Sequence, residues 1–163
     1  MYGGGILLTW MILLAAGNAA TFMENEINNA EKWNMQAVLQ LENQQYTVMF
    51  SVPALLEEHL CWIPQRNQPE MAVLQLQDGT QTGNIGTIAI YDAAIYDSSN
   101  PQEAPLGTEI LREEENGYVL AYTGMQSAVF PEGTRASALA MLYHKHEREI
   151  LSEIQVMRDM PEK

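Results

Sequence analysis

From Gln36 to Val52 the chain alternates in side-chain character with a period of two, on both sides of one short polar break. Ala37, Leu39 and Leu41 are set between Gln36, Val38 and Gln40. After Glu42-Asn43-Gln44-Gln45, the residues Tyr46, Val48, Phe50 and Val52 are set between Thr47, Met49 and Ser51. Successive side chains of a strand point to opposite faces, so this pattern predicts a β-hairpin with one buried face. A sheet with one apolar face must be covered by another element, which commits the rest of the chain to supplying a cover.

The following segments repeat the theme. Pro53 ends the second strand, and Ala54–Leu60 suits a short helix with Pro53 at its first turn. Asp78-Gly79 lies between two β-type runs, 71–77 and 80–91, and is a strong short-range hairpin signal. IGTIAIY is apolar at nearly every position and predicts a central strand buried on both faces. Asn116-Gly117 signals a third hairpin, between TEILREEE and YVLAYT. Within AAIYDSSNPQEAPLG the second half reads as loop. From Thr134 to Arg158 the pattern is helical, with Thr134 as cap and no Gly or Pro before Pro161. Leu139, Leu142, Tyr143, Ile150, Ile154 and Met157 fall on one face of that helix at 100° per residue. The expected fold class is α+β. It comprises a mostly antiparallel sheet of about six strands in hairpins, a short helix after the second strand, and a long C-terminal helix packed on the sheet.

Residues Ile6–Ala16 are an apolar run of eleven, broken only by Thr9. A membrane span needs roughly 20 such residues, whereas a signal-peptide core needs about 7–15 followed by small residues. Gly17-Asn18-Ala19 before Ala20 fits a cleavage site, but MYGGG carries no Lys or Arg as a signal should. Three readings stay open for residues 1–19: a signal peptide, an uncleaved anchor, or a hydrophobic helix of the fold. Residues 20–35 read as a linker and 36–163 as a single α+β domain.

The charge balance excludes some functions. With 21 acidic against 8 basic residues, the net charge of −13 repels phosphate backbones and anionic headgroups. Nucleic acid is not an expected partner, and a membrane is one only through an uncleaved N-terminal segment. Cys61 is the sole cysteine, which excludes an internal disulfide and a multi-cysteine zinc site. Beside Trp62 it reads as a small buried hydrophobe. No catalytic residue and no cofactor motif stand out. His146, Glu149 and Glu153 lie along one helical edge and are weak metal candidates, more simply read as a boundary histidine with a carboxylate neighbour. His144 lies on another face. Asp97-Ser98-Ser99-Asn100 has calcium-type oxygens, but these are ordinary loop residues. Tyr118 and Tyr122 are candidates to line a groove on an uncovered sheet face, or else core aromatics under the last helix.

YTVMFSVP, GNIGTIAIYD, PLGTEI, GYVLAYTGMQSAVFPEG and a final ILSEIQVM occur in this order. The series resembles a loosely defined set of uncharacterised exported domains of Gram-positive bacteria. That resemblance covers residues 46–157 and implies a fold similar to the PsbP-like α/β/α sandwich, with no catalytic residue to carry over. The function expected is an exported or cell-envelope accessory domain that binds a protein or envelope ligand. The alternatives are a small hydrolase with carboxylate and His146 chemistry, or a cytosolic mobile-element protein that keeps its N-terminal helix.

Export predicts a specific mass. Expressed in a Gram-positive host, the product outside the membrane is expected to lack the first ~19 residues. Intact mass by cell fraction checks this, and a full-length chain in the cytosol is the contrary result.

Overall fold

A computed structural model describes residues 32–115 and 117–159; the segment read as signal or anchor lies outside the described residues. Eight strands and one α-helix are found among them. β1 (Lys32–Leu41) and β2 (Gln44–Pro53) form the first hairpin, followed by a short 3-10 helix (Ala54–His59). β3 (Leu60–Gln65), β4 (Gln68–Asp78) and β5 (Gln81–Asp92) come next, then β6 (Thr108–Glu113) and β7 (Tyr118–Gly124). Helix α1 (Arg135–Ser152) and β8 (Gln155–Arg158) close the chain. There are two antiparallel sheets, ordered β1-β2-β8 and β3-β4-β5-β7-β6.

The first hairpin pairs Leu41 with Gln44 around a Glu42-Asn43 turn. Its apolar residues all fall on one face: Met35, Ala37 and Leu39 beside Phe50, Val48 and Tyr46, each at most 5% exposed. This face packs against the inner face of the larger sheet, where Leu74, Leu76, Ile88, Ile90 and Leu120 are buried in the same core. Helix α1 adds Ala136, Leu139, Ala140 and Tyr143 to that core, so the small sheet and the helix share one side of the five-stranded sheet.

The Asp78-Gly79 signal lies where expected. Asp78 pairs with Gln81 across a two-residue loop, and Gly79 supplies the left-handed φ of +60° that its first position needs. IGTIAIY is central, flanked by β4 and β7. Its pairing slips at Ile85, leaving Ile85 and Gly86 both buried at a β-bulge.

Several expectations are corrected. Among the described residues the strands number eight rather than about six. β1 begins at Lys32, inside the segment read as linker. β3 escaped notice because Pro64 weakens its strand pattern; it is tolerated because β3 is an edge strand. The same edge overturns burial of Cys61. Leu60 turns into the core and Trp62 packs on Phe50 with ring centroids 4.9 Å apart, so the residue between them faces out and is exposed. The helix stops at Ser152, where Glu153 caps it and the chain turns back to pair β8 with β2. Met157 therefore lies on a strand, 46% exposed. Thr134 does cap the helix, its Oγ1 accepting from the Ser137 amide at 3.1 Å.

Because one core serves both sheets, a void in it weakens the whole domain. Leu39→Ala, at 0% exposure, is expected to cost about 3 kcal/mol in urea unfolding. Met141→Ala, on the 61% exposed face of α1, should change stability by under about 0.5 kcal/mol.

Candidate binding cavity at the end of β1

The residues singled out from sequence do not share one place. Tyr118 and Tyr122 share the inner sheet face with Ile90 and Ile88 and are buried, 4% and 2% exposed. They are therefore not on an open sheet face. Tyr118 packs on Tyr46, ring centroids 5.0 Å apart. Tyr122 lies under α1, where its hydroxyl donates to Glu147 Oε1 at 2.7 Å and accepts from the Tyr143 hydroxyl at 3.1 Å. The donor roles follow because the single Tyr122 proton is committed to the carboxylate. Two paired glycines make the room. A Cβ on Gly86 would collide with the Tyr122 hydroxyl, and one on Gly124 would stand 2.9 Å from Glu147 Oε1.

His146 Nδ1 approaches Glu149 Oε2 at 3.6 Å. Glu149 and Glu153, however, both turn to Lys32 at the start of β1, at 3.3 and 2.6 Å. The helical edge thus clamps the first strand, and no group of three or more His, Cys, Asp or Glu that could hold a metal is found among the described residues. His144 pairs with Glu147 at 3.2 Å. Asp97 accepts from the amide and hydroxyl of Ser99, as a loop aspartate does.

The site that the sequence did not indicate lies where β1 ends against β4 and β5. A cavity of about 370 Å³ opens there. Gln40, Leu41 and Glu42 come from the end of β1, Pro69 and Glu70 from the start of β4, and Ile90, Tyr91 and Asp92 from the end of β5. Ile95, Tyr96 and Glu103 come from the 93–107 loop. Among the described residues, no thiol, imidazole or amine lines it.

The loop is tied down by its own polar groups. Asp92 Oδ1 accepts from the Ala94 amide at 2.8 Å, and Glu103 accepts from the Asp97 amide at 2.9 Å and the Asn100 amide group at 3.1 Å. Ala93 N donates to Gly117 O at 3.2 Å, joining the loop to the β6–β7 turn. This framework holds the Tyr96 ring against Tyr91, stacked with centroids 5.3 Å apart and planes at 30°. Burial, then the Glu103 carboxylate, hold both phenols above the ordinary tyrosine range. The Tyr96 hydroxyl is buried without a hydrogen-bond partner among the described residues. Beyond Asp92 a second cavity, of about 550 Å³, is lined by Ala93, Ala94, Glu113 and Glu115.

Glu42, Glu70, Asp92 and Glu103 have no Lys, Arg or His within ion-pair distance among the described residues. Glu42 also has a left-handed φ of 54°, uncommon for a residue with a Cβ. The one available sequence signal was the pair of tyrosines five residues apart, each followed by an aspartate, across the boundary between strand and loop.

No family model matches the chain, and neither curated proteins nor solved structures give a match to it. Among the described residues, no helix is long and apolar enough to cross a membrane.

The buried tyrosines make stability sensitive to alkali. Burial first, then the Glu114 carboxylate, push Tyr118 up to about 12. Burial, then Tyr143 and Glu147, raise Tyr122 further. In the unfolded chain both titrate near pH ~10, so above that pH the unfolded state holds fewer protons and unfolding becomes easier. Urea midpoints are expected to be flat with respect to these groups below pH ~10 and to fall from ~10 to ~12. Tyr118→Phe should make that fall shallower. Tyr122→Phe should also cost about 1–3 kcal/mol at neutral pH, because Glu147 Oε1 loses its donor and the Tyr143 hydroxyl its acceptor.

Proposed function

We propose that this chain is a non-catalytic binding domain and that its ligand enters the cavity between Tyr91, Tyr96 and the end of β1. The observation that carries this is the meeting of three separate chain segments, 40–42, 69–70 and 90–103, around one cavity lined with aromatic and apolar groups and with carboxylates that have no ion-pair partner among the described residues. Ligand sites are concave, largely apolar and furnished with a few convergent polar groups. Here Leu41, Pro69, Ile90 and Ile95 supply apolar surface, and the phenols and carboxylates supply direction. His146, to which the hydrolase alternative assigned a part, lines neither cavity.

In the same reading the domain works outside the cytoplasmic membrane, as an exported accessory protein of the kind its motifs resemble. That part rests on the Ile6–Ala16 run and its small-residue boundary. The acidic surface suits a soluble ligand or protein partner better than nucleic acid or lipid.

A small-molecule fragment library titrated into the full chain and followed by amide NMR tests the cavity. Hits are expected to move the amides of residues 40–42, 70 and 90–96, and Tyr96→Ala should abolish those shifts while the amides of β1–β2 and α1 keep their native positions. Shifts scattered over the surface, or none, would overturn the assignment.

A further inference from the structure

Resting on that reading of the cavity, we propose that its ligand is a small aliphatic polyamine. The lining combines features that such a molecule matches in turn. Methylene segments need apolar surface, which Leu41, Pro69 and Ile90 provide. Ammonium groups are attracted to ring faces, and Tyr91 and Tyr96 stand together as one stacked pair. They also need anionic acceptors that are not already neutralised.

Glu42, Glu70 and Asp92 meet that need from three different segments. One carboxylate would suit a single cation. Several, carried on different elements around a largely apolar cavity, suit positive charges spaced along a flexible stem. Glu103 accepts on both oxygens from the loop, so it acts through charge more than through direct contact, while Asp92 accepts from Ala94 on Oδ1 alone and keeps Oδ2 for a ligand. The buried Tyr96 hydroxyl has lone pairs open to an N–H donor. The second cavity has two further carboxylates, Glu113 and Glu115, on its wall. Neutral and anionic ligands fit less well. A neutral chain would leave the carboxylates desolvated without compensation, and an anion would be repelled by them.

The test is calorimetric titration of the full chain with spermidine, with amide NMR to locate the site. Spermidine is expected to bind and to move residues 40–42, 70 and 90–96, with affinity falling as salt is raised. Glu70→Gln and Tyr96→Leu should each weaken it by about tenfold. Glu58→Gln, on the exposed 3-10 helix, removes the same charge away from the cavity and should change affinity by less than about twofold.

A neutral diol of the same length binding as tightly as spermidine would overturn the cation assignment and leave the cavity a ligand site. So would fragments that bind the cavity when spermidine does not. A capped lysine peptide binding more tightly than spermidine would assign the site to a partner's side chain instead. Displacement of spermidine by magnesium at equal concentration, or equal weakening by Glu58→Gln, would reduce the effect to general surface charge and overturn the proposal.

Discussion

The fold depends on one contact, the apolar face of the β1–β2 hairpin laid against the inner face of β4 and β5. Leu39, Val48 and Phe50 on one side and Leu74, Ile88 and Ile90 on the other are almost wholly removed from water. Each such side chain contributes about 1.5–3 kcal/mol of transfer free energy. The contact also fixes geometry. Because β1 lies across the larger sheet, its Gln40–Glu42 end must meet the start of β4 and the end of β5, and the cavity is what remains where those ends diverge.

The helix is fastened by a different kind of interaction, and it is fastened at both ends. Lys32 reaches from the first residue of β1 to Glu149 and Glu153 near the helix C-terminus. At the N-terminal end Arg135 approaches Asp78 of the β4–β5 turn at 3.6 Å. The Lys32 pairs are largely solvated and the Arg135 side chain is exposed, so each contributes little. Between them lies the buried Tyr143–Tyr122–Glu147 chain, and it matters more. Its members are satisfied only when the helix is seated in one register over Gly86 and Gly124. Hydrophobic burial holds the helix down, while these polar groups and the glycine pair decide where it lies.

How much could be read from the sequence varied with the range of the interaction responsible. The β1–β2 hairpin, the turn at Asp78-Gly79, the central position of IGTIAIY and the Thr134 cap are local or period-two signals, and they were legible. β8 was not, because Ile154 and Met157 continue the helical spacing of Leu139 and Tyr143. Only pairing with Tyr46–Met49 turns that segment into a strand. Cys61 was misjudged for a related reason. Its neighbours are apolar, but the side of an edge strand that it occupies is set by β4. The tyrosine candidates were drawn to the covered face by the same alternation that makes them core residues. Tyr91 and Tyr96 could not be paired from sequence, since their stacking depends on how Asp92, Asp97 and Glu103 fold the loop.

That loop is the point at which fold and function meet. A segment rich in Asp, Ser, Asn and Pro cannot bury its own backbone, so it lies at the surface and satisfies its amides with its own side chains. In doing so Asp92 and Glu103 become fixed next to the Tyr91 and Tyr96 rings, and their charge is concentrated where Glu42 and Glu70 already point acidic groups at the same cavity. Such a concentration of like charge opposes folding, and nothing among the described residues neutralises it. A bound cation would relieve it. Burial of the β1–β2 hairpin against β4 and β5 acts against that repulsion, and in the proposed reading a cationic ligand would act in the same direction.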